Sequence, residues 1–129
     1  MMKNNSELIE YRMNRAKETI HEVNHHIGNE LWNTAINRIY YAYFYAVSAL
    51  LMKNGISTST HSGIRQKFGL YFVKTGIIPR ESGKFFSEIF DMRQTGDYDD
   101  FIVFERDDVM SMLISAKKLI HEIEDLLSQ

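Results

Sequence analysis

Apolar residues recur at three- and four-residue intervals along almost the whole chain, the period of a helix with one buried face. From about Ser6 to Ile27 the stripe is Met13, Ala16, Ile20, Val23 and Ile27. A second helix is predicted from about Glu30 to Asn54, with Asn29 as candidate cap. It carries Leu31, Ala35, Ile36, Ile39, Tyr40, Tyr43, Phe44, Val47, Leu50 and Leu51, and Tyr41 and Tyr45 fill much of the remaining face. A helix apolar nearly all round belongs at the centre, covered by several neighbours or by a second subunit.

A third helix is predicted from Ser59 or Thr60 to near Thr75, with Ile64, Phe68, Tyr71 and Phe72 facing inward. The fourth starts near Pro79 and carries Phe85, Phe86, Ile89, Phe90 and Met92 on or near one side. The fifth follows Asp107 or Asp108, either a plausible cap, with the stripe Val109, Met112, Leu113, Ala116, Leu119, Ile120, Ile123 and Leu127. Breaks fall near Gly28-Asn29, Asn54-Gly55, Gly76-Pro79 and Gly96-Phe104, where glycine and the single proline punctuate the pattern. No strand-like alternation competes with helix. The expected fold is all-α, one domain over residues 1–129, an up-and-down bundle of about five helices.

Composition narrows the chemistry. There is no cysteine, which removes thiolate metal sites, cysteine nucleophiles and redox switching. The formal net charge of −2 gives no overall basic excess for gripping phosphates, although a local basic cleft remains open. No apolar signal core opens the chain, and Tyr40 to Met52 is too short and tyrosine-rich for a membrane span. The expected location is cytoplasmic.

Four polar groupings stand out. His21-Glu22-Val23-Asn24-His25 has the spacing of a zinc-protease helix, but Val23 belongs to the core stripe, so the histidine face is solvated and lacks a third ligand. No metal and no cofactor is expected. Asn37 and Arg38 sit within the most apolar helix, as a structural ion pair or as part of a polar pocket. His61, Ser62 and Gly63 open the third helix, where free N–H groups favour anions and His61 can act as acid or base. The densest group runs from Met92 to Asp100. Arg93 is expected at a helix end, Gly96 turns the chain, and Asp97 pairs with Arg93, followed by Tyr98, Asp99 and Asp100. That group reads as a turn-locking salt bridge or as a phosphate-binding arginine beside acids and a phenol.

Ala35-Ile36-Asn37-Arg38-Ile39-Tyr40-Tyr41-Ala42-Tyr43-Phe44, then Thr60-His61-Ser62-Gly63 and Arg93-Gln94-Thr95-Gly96-Asp97-Tyr98, resemble the HEPN superfamily, in particular its small stand-alone bacterial and archaeal members. The resemblance spans the second helix through the fifth. It implies a helical bundle that usually dimerises. Many such proteins are metal-independent endoribonucleases, with an arginine, then four to six arbitrary residues, then a histidine. Many pair with a minimal nucleotidyltransferase as a toxin–antitoxin system, and others bind nucleotides or partners without cleaving.

Arg93 matches the arginine of that signature, but the histidine does not carry over. Tyr98 stands five residues on, and no histidine occurs between His61 and His121. A phenol titrating near 10 is a poor base at neutral pH. Asp97 or Asp99 could serve only with a raised pKa, and Arg93 would lower it. His61 is the one imidazole that could restore the pair, if the third helix begins beside Arg93.

The expectation is therefore a HEPN-like module binding a nucleotide, RNA or a partner protein, homodimeric, in a toxin–antitoxin-type pair with a nucleotidyltransferase. Arg93 would hold phosphate, Asp97 orient it, and Tyr98 donate a hydrogen bond or stack. Asn37, Arg38 and His61 are further candidates for the same cleft. The rivals are a metal-independent endoribonuclease toxin using Arg93 with Tyr98 or His61, and a purely structural dimeric adaptor.

Overall fold

The computed structural model describes residues 2–98 and 103–129, with side chains described for 5–94 and 103–129. Five α-helices follow one another among these residues: α1 Met2–Gly28, α2 Trp32–Lys53, α3 His61–Phe68, α4 Arg80–Tyr98 and α5 Arg106–Leu127. A π-helical turn, Gly69–Val73, continues α3.

The all-round apolar character of α2 has the expected consequence. It packs against α1, α3, α4 and α5, and its Ala35, Ile36, Ile39, Tyr40, Ala42, Tyr43, Ala46, Val47, Ala49, Leu50 and Leu51 are buried. The stripes of α1 and α5 close on it through Met13, Ala16, Ile20 and Val23 and through Val109, Met112, Ala116, Leu119 and Ile123. Lys17 of α1 pairs with Glu124 of α5, and Ser82 of α4 donates to Glu122 of α5 at 2.7 Å. The chain's own helices thus cover most of α2. Its aromatic content does not by itself require a second subunit.

Several boundaries differ from the sequence expectation for identifiable reasons. Asn29 does not cap α2. Its Nδ2 donates to the His25 carbonyl at 2.9 Å, so it closes the end of α1. The α1–α2 turn needs a left-handed residue, which is Glu30 at φ 57°, and α2 then starts at Trp32, leaving Leu31 outside and exposed. Thr60 does cap α3, its Oγ1 accepting from the Gly63 N–H at 2.9 Å. The cap of α5 is Glu105, not Asp107 or Asp108. Asp108 instead accepts from the Glu105 N–H at 2.9 Å.

Two corrections concern faces and ends. Tyr71 was expected inside, yet it is exposed while Phe72 is buried. The wider π-helical turn changes the phase of α3 between Phe68 and Phe72. The break expected at Gly96 does not occur there: α4 runs through Gly96 to Tyr98. A helical glycine costs only about 1 kcal/mol, too little to stop a helix alone. Arg93 therefore stands inside α4 rather than at its end. The side chains of Asp97 and Tyr98, and all of Asp99 and Asp100, lie outside the described residues. Among the described residues, no helix is long and apolar enough to cross a membrane.

Candidate functional site: an arginine between two tyrosines

The site begins on α2. Tyr40 and Tyr41 are consecutive, and Phe44 follows one turn on, so the three rings meet along one side of the helix. Tyr40 and Tyr41 stand edge to face with centroids 5.3 Å apart. Tyr40 is fully buried, whereas Tyr41 and Phe44 are only half-buried.

Helix α3 delivers His61. The Thr60 cap fixes where the helix starts, and His61 is its first residue. Its ring lies 4.2 Å from that of Phe44 and stacks on Tyr40 at 5.8 Å. Its Nδ1 is 2.7 Å from Tyr40 Oη. Helix α4 delivers Arg93. Nη2 donates to Tyr41 Oη at 3.3 Å, and the guanidinium carbon lies 5.4 Å from the Tyr40 ring centroid and 5.6 Å from that of Tyr41. The cation thus contacts two ring faces, each contact contributing about 0.5–1 kcal/mol or more where desolvated.

Charge and burial tune the titrating groups. Burial pushes the Tyr40 phenol up to about 12, against an opposing pull from Arg93. The His61 imidazole is held below its ordinary value, first by burial and then by the positive charge of Arg93. Near neutral pH the site therefore holds a protonated phenol, a neutral imidazole and a cation.

The other expected residues are distributed unevenly. Arg38 belongs to the neighbourhood. Its guanidinium lies 5.7 Å from the Tyr41 ring centroid, and it also reaches Glu22 of α1 at 3.8 Å. Asn37 stands half-buried one turn before Tyr41, and its side chain makes no hydrogen bond among the described residues. His21 and His25 are exposed, Glu22 is engaged with Arg38, and no metal-holding cluster of three such groups exists among the described residues.

Sequence reasoning missed Arg65 altogether and read Phe90 only as part of the apolar side of α4. Phe90 meets Tyr40 edge-on at 5.9 Å. Arg65 of α3 lies 4.8 Å from the Phe90 ring centroid and pairs with Asp91 at 3.3 Å. The result is a strip of arginines and rings: Arg38, Tyr41, Arg93, Tyr40, Phe90, Arg65. Nothing in linear spacing announces it, because the contacts join three helices.

Comparison with known proteins agrees with this architecture. The chain is 41% identical over 126 residues to a protein of Thermotoga maritima named "UPF0332 protein", covering 98% of this chain and 96% of that one. It is 30% identical over 105 residues to a Methanocaldococcus jannaschii protein named "Putative toxin", covering 81% of this chain and 71% of that one. A second protein of that organism with the same description is 30% identical over 101 residues, covering 78% and 75%. The HEPN domain matches residues 9–126, nearly the whole bundle including Tyr40, His61 and Arg93, and the chain belongs to the HEPN family.

Proposed function

We propose that this chain is a HEPN binding module whose ligand is the phosphate backbone of a nucleotide or a single-stranded RNA. The observation that carries the reading is Arg93 held against Tyr40 and Tyr41, with Arg38 and Arg65 at the ends of the same arginine–aromatic strip. Guanidinium groups interleaved with rings suit a strand that offers phosphates and stacking bases in alternation. The half-buried Tyr41 is the ring available for a base, and Arg93 supplies the planar fork for phosphate. Asp97 would orient Arg93 from one turn further along α4, and Tyr98 would donate a hydrogen bond or stack.

The state of His61 favours holding over cutting. A phenol pushed up to about 12 keeps its proton at neutral pH and so has one to donate to an imidazole nitrogen. Tyr40 then donates to Nδ1, and the neutral ring carries its own proton on Nε2. In that tautomer His61 offers phosphate oxygen an N–H, not a lone pair to a 2′-hydroxyl.

The second reading is a metal-independent ribonuclease toxin, supported by the approach of His61 to the Arg93 pair and by the relatives named as toxins. It requires the opposite tautomer, with Nδ1–H donating to Tyr40 and Nε2 free to accept a proton. In either reading the working unit is a homodimer paired with a nucleotidyltransferase. A purely structural adaptor would use the strip only to lock helices together.

One experiment separates the three. Fluorescent single-stranded RNA is titrated with the chain in chelator, and the same samples are run on a denaturing gel. Binding that Arg93→Ala weakens, with the RNA intact, supports the module. Cleavage abolished by His61→Ala establishes the ribonuclease. Neither binding nor cleavage, with Arg93→Ala only less stable, leaves the adaptor.

A further inference from the structure

A cavity of about 310 Å³ opens further along α2, and none of its lining residues belongs to the Arg93 strip. Helix α1 contributes Arg12, α2 contributes Ser48 and Leu51, the α2–α3 loop contributes Ile56 and Thr58, and α3 contributes Ile64. That volume is at the lower end of the range for small-molecule sites.

Ser48 is the first oddity. It is only 4% exposed, and its hydroxyl has no hydrogen-bond partner among the described residues. A serine inside a helix usually settles this by donating to the carbonyl four residues back. Ser115 does so to Ser111 at 3.1 Å, and just past helix ends Ser128 does so to Glu124 at 3.0 Å and Thr75 to Tyr71 at 2.8 Å. Ser48 does not, and a buried hydroxyl left this way opposes folding.

Arg12 is the second. It is half-buried in the lining of the same cavity, and its side chain makes no ion pair, hydrogen bond or ring contact among the described residues. On the same helix Arg15 reaches Glu18 and Lys17 reaches Glu124. Among the described residues no carboxylate lines the cavity, whose other polar side chains are hydroxyls and one amide. Thr58 leans over the first turn of α3 so closely that a Cβ on Gly63 would overlap its Oγ1. The cavity lining therefore combines a cation and hydroxyls with the apolar Leu51, Ile56 and Ile64.

We infer that this cavity binds a small organic oxyanion, a phosphate monoester or a carboxylate, whose charged head meets Arg12 and Ser48 and whose apolar body lies on Leu51, Ile56 and Ile64. The head gives the Arg12 guanidinium and the Ser48 hydroxyl the acceptor each lacks. The apolar wall excludes an ion without a hydrocarbon body as the best ligand.

The test is calorimetric titration of the full chain with three probes: phenyl phosphate, benzoate and inorganic phosphate. Saturable binding of phenyl phosphate or benzoate, stronger than that of inorganic phosphate, is expected, and the stronger of the two identifies the head group. Arg12→Met should weaken it about tenfold or more, the loss expected for a charge-assisted bond. Ser48→Ala should weaken it several-fold while leaving the thermal midpoint unchanged or raised, since it deletes an unsatisfied hydroxyl. Arg93→Ala should bind the probe as wild type does, which keeps this site separate from the RNA reading. Absence of binding by all three probes overturns the proposal. So does binding indifferent to both Arg12→Met and Ser48→Ala, or binding lost with Arg93→Ala.

Discussion

Tyr40 Oη lies 2.7 Å from His61 Nδ1, joining the middle of the central helix to the first residue of α3 across a sequence separation of 21. The bond fixes the orientation of an imidazole that Phe44 supports from another side. Nitrogen chemical shifts of His61 should show Nε2 protonated and Nδ1 accepting. Tyr40→Phe should remove that preference and cost about 1 kcal/mol in denaturant unfolding, the ordinary net value of such a bond. A wild-type spectrum with Nδ1 protonated would favour the ribonuclease tautomer instead.

The depressed pKa of His61 has a signed consequence for stability. Its folded value lies below the ordinary 6.5 because burial and Arg93 disfavour the imidazolium. Between the folded and unfolded values the unfolded chain binds more protons, so stability rises with pH. The contribution of His61 is complete above about 6.5 and is lost as pH falls through the lower folded value. Urea unfolding from pH 8 to pH 5 should show this slope, shallower in His61→Gln. An unchanged slope in that variant would mean that His61 titrates alike in both states.

Arg93 separates charge from shape. Arg93→Lys retains the charge but loses the planar group held between Tyr40 and Tyr41. RNA affinity should fall several-fold, with the salt dependence kept. Arg93→Ala should also reduce the slope of log affinity against log salt by about 0.7, one phosphate contact on a single strand. Equal slopes for wild type and Arg93→Ala would place the phosphate elsewhere.

The cap of α3 can be tested without touching the site. Thr60→Ala removes the acceptor for the Gly63 N–H and should cost about 1 kcal/mol of stability, whereas Thr60→Ser should restore most of it. Fraying of the first turn would also loosen His61 from Tyr40. The His61 ring resonances should therefore broaden in the alanine variant alone.

The tight α1–α2 turn carries a different signature. Glu30 has φ 57°, a region that costs an L-residue roughly 1 kcal/mol or more. Glu30→Gly should raise the unfolding free energy by roughly 0.5–1 kcal/mol, after allowing for the greater freedom of glycine in the unfolded chain. A destabilised glycine variant would show that the glutamate side chain matters more than its backbone.

The bundle could be read from its apolar pattern because burial is what that pattern reports. The all-round apolar character of α2 placed it centrally, and Thr60 was visible as one of two candidate starts of α3, though not as its cap. The misread ends share a cause. Asn29 and Asp107 are competent caps in isolation, but Glu30 and Glu105 decide where the turns fall. Gly96 resembled a stop because glycine often is one, although its intrinsic cost cannot end a helix. At the site, Arg93 and His61 were visible as single residues. Their shared contact with Tyr40, and the presence of Arg65 through Phe90, depend on how α2, α3 and α4 pack, which no local spacing encodes.

The π-helical turn at Gly69–Val73 makes this bundle sensitive to chain length at one place. Deleting one residue there would restore regular helix and swing everything downstream through about 100°. Phe72 would leave the core, and Ile78, whose N–H reaches the Phe72 carbonyl at 2.8 Å, would lose its anchor. His61 lies upstream and would keep its place on Tyr40. The two ends of α3 are thus governed separately, the first by a cap and a phenol, the last by the count of residues.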